Sequence, residues 1–462
     1  MKLKKFIIVL AGLSILISFP GYGQITEQTL KFGEVLNDIS RYYVDTVNEE
    51  QLVSKTLRQM LHDLDPHSTY MSKEEVKAAQ EQLEGGFEGI GVSFNILDDT
   101  IFVVNPIAGG PSEKVGIHAG DRIVKIDGEN VAGVGITNLD VMKKLKGPKG
   151  TKVNVSIQRR RVDKLLPFTI TRDEIPIYSL DASYMVGDDV GYIKLARFSN
   201  TTMDEFSGAM TKLQDQGMKD LILDLTGNGG GYLYVAIDLA DQFLAGRRMI
   251  VYTKGVHNPR KNYYSTDKGS FETGKLIIMI DETSASASEI VSGAMQDWDR
   301  AVLVGRRSFG KGLVQGRFEL NDGSEIRLTV ARYFTPAGRL IQKSYSKGYE
   351  AYSHELLERY NSGELSGEDT KHFPDSLKFH TLIKNRVVYG GGGILPDYLV
   401  PIDTSEYSDY YRDIISQGVL NQFILEYVDN NRKSLKSSYP DFQTFKKNFS
   451  VTPAIVAQLR KY

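Results

Sequence analysis

The sequence contains no cysteine, and this absence excludes several kinds of chemistry at once. A chain of 462 residues without Cys has no disulfide framework, no thiolate metal site, no thiol nucleophile and no lipid-modified cysteine. A large charge excess is also missing, because 56 basic and 58 acidic residues leave a net charge of −2. We therefore expect no bulk attraction to nucleic acid or to an anionic membrane, and a fold held together by apolar cores.

Histidine is scarce, and none of its positions suits a Ser-His-Asp triad. The chain also lacks the Gly-x-Ser-x-Gly turn that carries the serine in many such triads. His62 and His67 are close in sequence but have no suitably spaced carboxylate partner, so we interpret them as structural or solvated. No metal ion or other cofactor is predicted. The seven histidines are His62, His67, His118, His257, His354, His372 and His380.

Long apolar runs are missing beyond the N-terminus. There, three lysines precede an apolar run from Phe6 to Phe19, and small residues follow up to Gly23. This order is typical of a secretory signal peptide, which we assign to residues 1–23. A membrane anchor is the alternative, but a spanning helix needs roughly 18–20 apolar residues, more than this run offers. We therefore expect cleavage near Gly23, no stable membrane insertion afterwards, and a soluble protein in the periplasm or outside the cell.

Changes in hydrophobic periodicity divide the rest of the chain. Helical spacing of apolar residues comes first, then short alternating strands, and then strands that alternate with helices. The predicted fold class is therefore α/β within a multidomain α+β arrangement. The predicted segments are a helical region at 24–84, a small barrel at 85–172, an α/β core at 173–342, a polar and tyrosine-rich insertion at 343–390, a further core strand at 391–404 and a helical region at 405–462.

A glycine-rich loop opens the barrel region and runs from Gly85 into a strand. Downstream, Ala119-Gly120-Asp121 precedes an alternating strand that ends in the turn Asp127-Gly128. Together these runs resemble a PDZ domain, in which backbone N–H groups hold the terminal carboxylate of a peptide that adds as a strand to the sheet edge. A barrel whose glycines only form turns is the alternative. The resemblance implies a carboxylate-binding loop made of Gly89, Ile90, Gly91 and Val92.

Three serines alternate with alanines where a strand is predicted to become a helix. The run 276–280 is apolar, and the run 287–298 has the amphipathic spacing of a helix. A junction of this kind can expose a serine oxygen beside backbone N–H groups, so it predicts the nucleophile of a serine peptidase. The candidates are Ser284, Ser286 and Ser288.

With no suitable histidine, Lys311 is the candidate base. It lies between two predicted strands, and Gly310 and Gly312 beside it allow close packing, which would bury the amine and lower its pKa. Gln315 could hold the amine in place if this segment is extended. The spacing from Gly305 to Lys311 also matches a phosphate-binding loop. However, Gly312 replaces the Ser or Thr that would hold Mg²⁺, so no nucleotide site is predicted.

Further motifs extend the pattern over most of the chain, from Phe87 to Val400. They are Ser284-Ala285-Ser286-Ala287-Ser288-Glu289-Ile290, Phe309-Gly310-Lys311-Gly312 with Gln315, Leu223-Asp224-Leu225 with Gly229-Gly230-Gly231, and the runs 331–339 and 393–397. With the PDZ-like region, they resemble the carboxyl-terminal processing proteases, also called tail-specific proteases. That family consists of Ser-Lys peptidases with an embedded PDZ domain. The resemblance implies an α/β serine peptidase core with an inserted PDZ barrel and helical N- and C-terminal regions.

The resemblance also selects one serine. Ser286 is the central serine of the family's nucleophile motif, and Lys311 follows it by the 25 positions usual in the family. Ser284 suits a turn or cap, and Ser288 suits the first helical turn, so we expect structural roles for both. The resemblance thus implies a dyad of Ser286 and Lys311, with Gln315 beside the lysine.

The oxyanion hole is implied less fully. The helix that starts at Ala287 would present its backbone N–H, and the glycine loop would add a second donor. That loop departs from the family's common sequence, since Thr226 replaces an arginine and Gly229 replaces a proline. The second donor could therefore be the N–H of Gly230 or of Gly231.

These expectations combine into one functional hypothesis. The chain is expected to be an exported serine endopeptidase that captures protein or peptide substrates by apolar C-terminal tails, without metal or nucleotide. A homodimer mediated by its helical ends is a further hypothesis. A non-catalytic protein that binds C-terminal peptides on the same fold is the alternative.

Overall fold

The computed structural model of the chain describes residues 26–367, 373–403 and 408–462. They form two compact units, one that ends at Met60 and one over Leu61–Tyr462. The first helices are α1 (Glu27–Tyr42) and α2 (Glu49–His62). The signal peptide assigned to residues 1–23 lies outside the described residues. Within the described ranges, no helix has both the length and the hydropathy required to cross a bilayer.

The second unit begins with β1 (Thr69–Met71) and α3 (Lys73–Glu84), so the region predicted to be helical also contains a short strand. Helix α3 starts where the Ser72 hydroxyl accepts the N–H of Glu75 and the Glu75 carboxylate accepts the N–H of Ser72. This reciprocal pair satisfies two donors at the helix start. The helix ends at Gly85, whose φ of +86° lies in the left-handed region that glycine adopts easily.

A small barrel follows α3. Its elements are β2 (Gly86–Gly89), β3 (Val92–Leu97), β4 (Thr100–Pro106), α4 (Pro111–Lys114), β5 (Arg122–Ile126), β6 (Glu129–Asn130), α5 (Asn138–Leu145), β7 (Lys152–Gln158), β8 (Leu166–Thr171) and β9 (Asp173–Pro176). The main sheet has the order β3-β4-β5-β7-β8, while β6 pairs with β5 and β2 pairs with β9. In β7, Val153, Val155 and Ile157 are buried and alternate with more exposed residues, as a strand over a core requires.

The largest part of the chain alternates strands with helices. Its elements are β10 (Leu180–Val186), β11 (Val190–Leu195), α6 (Thr202–Asp215), β12 (Asp220–Asp224), α7 (Leu233–Asp241), β13 (Met249–Lys254), β14 (Lys261–Tyr264), β15 (Leu276–Ile280), α8 (Ala287–Asp297), β16 (Val302–Gly305), β17 (Leu313–Glu319), β18 (Glu325–Phe334), α9 (Tyr349–Asn361), a 3₁₀ turn (Asp375–Leu377), β19 (Lys378–His380), β20 (Val387–Tyr389) and β21 (Tyr398–Leu399).

Two sheets organise this part. The first has the order β10-β11-β12-β15-β16-β21, in which every pair from β11 to β21 is parallel. The second has the order β1-β18-β13-β14, with β17 paired to β18. Strand β1 forms because it pairs with β18 in this sheet. The paired residues run from Thr69 opposite Arg327 to Met71 opposite Glu325. Its sequence alone does not reveal this long-range pairing.

The described residues of the segment 343–390 pack against the loop that follows β16. The guanidinium of Arg359 in α9 donates to the carbonyl of Arg307 at 2.6 Å, and Lys343 forms an ion pair with Glu355 at 3.1 Å. These three charged side chains, Arg359, Lys343 and Arg307, are buried, so the segment is an integral part of the core's packing.

The chain ends in four helices, α10 (Asp409–Ser416), α11 (Val419–Ser438), α12 (Phe442–Asn448) and α13 (Pro453–Leu459). Helix α11 contacts the barrel through Asp429, whose carboxylate binds Arg122 at 3.1 Å and whose carbonyl accepts from Arg160 at 2.5 Å. The predicted fold class, an α/β core with an inserted barrel and helical ends, is confirmed.

Candidate active site

Three loops meet at one edge of the parallel sheet. They follow the neighbouring strands β12, β15 and β16 and cover residues 225–232, 281–286 and 306–312. Parallel strands point their carboxyl ends to the same edge, which is where open α/β sheets place their sites. The sheet order therefore brings the glycine loop, the serine junction and the lysine loop together.

Ser286 differs from the two neighbouring serines in its surroundings. Ser284 and Ser288 are fully buried, and their hydroxyls donate to the carbonyls of Leu225 at 2.8 Å and Asn228 at 2.9 Å. Ser286 is half-buried at the start of α8, where its side chain and that of Glu289 face each other's backbone N–H groups, and its hydroxyl donates to no described residue. Its φ of +55° is costly for a residue with a side chain. This strained conformation immediately precedes helix α8.

Lys311 lines the same cavity as Ser286, a space of about 600 Å³. The amine makes no hydrogen bond or ion pair with any described residue, and no hydrogen bond joins it to the Ser286 hydroxyl. Burial lowers the pKa of Lys311, the nearby positive charge of Arg327 lowers it further, and the negative charge of Glu289 partly opposes both effects. A lysine with a lowered pKa is neutral in a larger fraction of molecules, as a proton acceptor must be.

Glu289 connects the serine junction to the lysine loop. Its fully buried carboxylate accepts from the N–H groups of Ser286 at 2.9 Å, Lys311 at 2.8 Å and Gly310 at 2.7 Å, and from the Ser308 hydroxyl at 2.5 Å. Burial raises the pKa of Glu289 to about 7, although the four donors favour the ionised form. An ionised carboxylate has acceptor sites for all four bonds, whereas a protonated one has fewer.

Tyr333 binds the backbone carbonyls of Ser286 and Lys311, the two residues whose N–H groups donate to Glu289. Its buried hydroxyl donates to the carbonyl of Ser286 at 3.1 Å and contacts the carbonyl of Lys311. Glu289 and Tyr333 therefore bind the backbone of both Ser286 and Lys311. Sequence reasoning did not assign either residue, although Glu289 stands three positions after Ser286, where a capping glutamate is common.

The glycine loop lies directly against Ser286. A Cβ atom on Gly230 would come within 2.9 Å of the Ser286 Cβ and within 3.0 Å of the Ala287 nitrogen, so only glycine permits this approach. The N–H of Gly230 is already used, because it donates to the side chain of Asn228 at 2.9 Å. Asn228 is another residue that the sequence did not single out. It is buried and also donates to the Leu195 carbonyl at 2.8 Å.

Two backbone N–H groups beside Ser286 remain available. Neither Ala287 nor Gly231 donates to any partner in the part of the chain that the structure describes. The residues on either side of Gly231 bond to Phe198, through the Gly230 carbonyl at 3.0 Å and the Tyr232 N–H at 2.9 Å. Groups alternate in direction along an extended chain, so the N–H of Gly231 points away from Phe198.

Gln315 lines the same cavity as Lys311, and no hydrogen bond joins the two side chains in the described chain. Its amide donates to the hydroxyl of Thr329 at 3.4 Å, a long bond, and no described atom links it to the lysine amine. The pairing of β17 with β18 shifts its register between Val314 and Gln315. Such an irregularity redirects side chains relative to simple strand alternation, and the role of Gln315 beside the amine stays a prediction.

His67 lies closer to the lysine loop than its sequence suggested. Its ring bonds to the Tyr352 hydroxyl at 2.7 Å. Burial lowers the pKa of His67 to about 4, and the positive charge of Lys311 contributes to this shift. His67 is therefore neutral near pH 7, and it has no hydrogen bond to Ser286 in the described chain.

The predicted carboxylate-binding loop lies at the edge strand of the barrel. In the described structure β3 pairs only with β4, so its other edge is unpaired. Gly89, Ile90 and Gly91 are buried, and Val92 is half-buried. The carbonyl of Ile90 is held by the Ser112 hydroxyl at 2.6 Å. The loop is thus tightly packed, and little of its backbone is exposed to solvent.

Comparison with known proteins defines the class of this chain. Residues 189–348 match peptidase family S41, and residues 78–158 match the PDZ domain. Residues 410–462 match a family of unknown function. The chain is therefore a serine-type peptidase that carries a PDZ domain.

Individual relatives agree with this class. The Carboxy-terminal-processing protease of Bartonella bacilliformis is 36% identical over 321 residues, which cover 68% of this chain and 73% of the relative. The Carboxy-terminal processing protease CtpB of Bacillus subtilis is 34% identical over 356 residues, or 74% of this chain and 72% of the relative. A solved PDZ domain of the Carboxy-Terminal Protease from Vibrio cholerae, in complex with peptide, is 34% identical and covers 20% of this chain and 99% of that chain, with a TM-score of 0.19. The chain belongs to peptidase family S41, with the carboxy-terminal processing proteases.

Proposed function

We propose that the chain is an endopeptidase in which Ser286 is the nucleophile and Lys311 is the general base. One observation carries this proposal. Ser286 and Lys311 line one cavity, where the Ser286 hydroxyl donates to no described residue and the Lys311 amine forms no hydrogen bond or ion pair with one. A neutral lysine in this position can take the hydroxyl proton as the oxygen attacks a peptide carbonyl.

The remaining steps follow from these two groups. Attack gives a tetrahedral intermediate, whose oxyanion the N–H groups of Ala287 and Gly231 are proposed to stabilise, with Gly230 packed beside them. As the peptide bond breaks, the Lys311 ammonium returns the proton to the leaving amine, and the acyl group stays on Ser286. Water then attacks the ester while Lys311 takes its proton, and the ammonium returns this proton to the Ser286 oxygen as the ester C–O bond breaks and the carboxylic acid product leaves. Gln315, on the same cavity wall, remains our candidate for orienting the amine during these steps.

The PDZ domain is proposed to capture the C-terminal tail of the substrate. The unpaired edge of β3 can accept an extended peptide as an added strand. Leu139 and Met142 on α5 are exposed apolar side chains that could contact an apolar tail residue. Gly89, Ile90, Gly91 and Val92 are the proposed carboxylate-binding residues, and their tight packing means that a carboxylate enters only with some local movement.

Export is part of the same proposal. It rests on the basic, apolar and small-residue order of residues 1–23, and it places the peptidase in the periplasm or outside the cell.

Cleavage should depend on the tail of the substrate. A loosely folded protein that ends in an apolar tail is expected to be cleaved at least about tenfold faster than the same protein with a polar tail, since lost tail binding removes roughly 1.4 kcal/mol or more. Product masses at fixed times measure the rates, with the Ser286→Ala variant as the blank. Equal rates for both tails would contradict tail recognition, while tail binding without any cleavage would favour a non-catalytic binding protein.

A further inference from the structure

The catalytic cavity carries charges of one sign only. Its charged lining residues in the described chain are Lys311, Arg317 and Arg327, and no Asp or Glu lines it. The other lining residues are apolar, aromatic, glycine or neutral polar side chains. An extended substrate in this cavity displaces water from the cationic groups, which strengthens their attraction for a negative charge.

The two arginines stand directly opposite each other. Arg317 in β17 pairs with Arg327 in β18, and like charges in this relation destabilise a sheet. One buried carboxylate compensates them, because Glu325 accepts from the Nε of Arg317 at 2.7 Å and from the Nε of Arg327 at 2.9 Å. Two guanidinium groups and one carboxylate leave a net charge of +1 at this end of the cavity.

Glu325 leaves most guanidinium donors unused. A guanidinium has five N–H donors, and each arginine uses only its Nε–H in the described structure. The Nη2 of Arg327 is buried without any hydrogen-bond partner among the described residues. Unmade hydrogen bonds of a buried charged group are costly, so a ligand that supplied acceptors here would gain affinity.

We propose that Arg317 and Arg327 bind a carboxylate of the substrate while Ser286 acts on the peptide bond. The carboxylate belongs to an Asp or Glu side chain or to the free C-terminus, since a bidentate guanidinium pair suits both sources. Arg317 stands six residues after Lys311, so an extended chain places it at most about 20 Å along the cavity. The bound carboxylate therefore lies within about six residues of the cleaved bond.

This inference rests on the proposed peptidase function and can fail separately from it. The test starts from one neutral peptide that the protein cleaves at a single bond. Glu and Gln are compared at each of about six positions on both sides of that bond, and the free C-terminus is compared with the C-terminal amide. At one position, or at the terminus, the carboxylate is expected to raise kcat/KM by about tenfold or more.

The double variant Arg317→Gln/Arg327→Gln is expected to lose this preference, and Arg317→Lys/Arg327→Lys is expected to retain part of it. Arg332→Gln is the matched control, because Arg332 is exposed on the same strand and does not line the cavity. A terminal effect that acts through the PDZ domain would persist in the double Gln variant and would contradict the proposal.

Two outcomes separate this inference from the function on which it rests. The first outcome concerns the wild-type protein. If kcat/KM is the same for each Glu peptide and its Gln counterpart, and the same for the free C-terminus and the C-terminal amide, the carboxylate site alone is overturned. Cleavage of the neutral peptide by Ser286→Ala would overturn the peptidase assignment instead.

Discussion

Alanine at Lys311 is expected to lower kcat/KM for peptide cleavage by about a thousandfold or more, within the range known for loss of a general base. In the proposed mechanism the Lys311 amine accepts the Ser286 proton, and the alanine variant lacks this acceptor. Lys311→Arg should be nearly as inactive, because a guanidinium stays protonated up to pH values above about 12. The rates are measured by mass spectrometry on a tailed substrate. Cleavage by Lys311→Arg within a few fold of the wild type would show that another group is the base.

The pKa of Lys311, the proposed base, sets the direction in which kcat/KM changes with pH. Burial lowers the pKa of Lys311, and the lysine acts only when neutral, so kcat/KM should rise with pH and level off above that pKa. Glu289, with a pKa raised to about 7, adds a second loss below pH 7, since its protonation removes acceptor capacity from the loop that it holds. Arg327→Gln removes a neighbouring positive charge, which raises the Lys311 pKa and shifts the rise to higher pH.

Replacement of Glu289 is expected to have the second largest effect. Glu289→Ala leaves four buried donors without their acceptor, which should lower the free energy of unfolding by about 3 kcal/mol or more. Ser286 and Lys311 then lose a shared anchor, and a shift of about 1 Å between reacting groups can lower the rate by about a hundredfold. Denaturant unfolding measures the stability, and kcat/KM at a temperature where the variant stays folded measures the rate.

The Glu289→Gln variant tests whether activity depends on the charge of this side chain or only on its shape. The amide keeps the size of the side chain but turns one acceptor into a donor facing other donors, so activity should fall although packing is preserved. Glu282→Gln is the matched control, because Glu282 lies in the same strand-to-helix loop and pairs with Arg306 at 2.6 Å, away from Ser286. A folded Glu289→Gln protein with wild-type kcat/KM would contradict the positioning role.

Local patterns were sufficient to predict the core of the fold. The apolar run that became β15 and the amphipathic run that became α8 stand where periodicity placed them. Every residue of α8 is buried, however, whereas its amphipathic spacing predicted one buried face. Parallel strand order then explains why loops far apart in sequence meet near Ser286. Strand β1 was not predicted, because a short strand depends on a partner that is distant in the chain.

The groups that position the site were harder to predict. The Tyr333 hydroxyl bonds to the backbone of the serine junction and the Asn228 amide to the backbone of β11, and a sequence pattern does not encode such distant contacts. For Gln315, a family motif and strand alternation predict a position beside Lys311. Neither pattern predicts the register shift next to it or its hydrogen bond to Thr329, and its role beside the amine stays a prediction. Periodicity predicts faces of elements, whereas atomic contacts depend on bulges and loops.

The most direct test of the account is to identify the residue that becomes acylated. An activated peptide ester acylates a serine peptidase faster than the acyl group is hydrolysed, so acid quenching and peptide mapping should detect the adduct. The expected result is one acyl group on Ser286 in the wild type and in the control variant Ser292→Ala. Ser292 lies in the helix that follows Ser286, and its hydroxyl donates to the Ser288 carbonyl at 2.8 Å. Ser286→Ala should show no adduct and no turnover. An adduct on another residue would contradict the assignment of Ser286 as the nucleophile. Turnover by the Ser286→Ala variant at the rate of the wild type would contradict it as well.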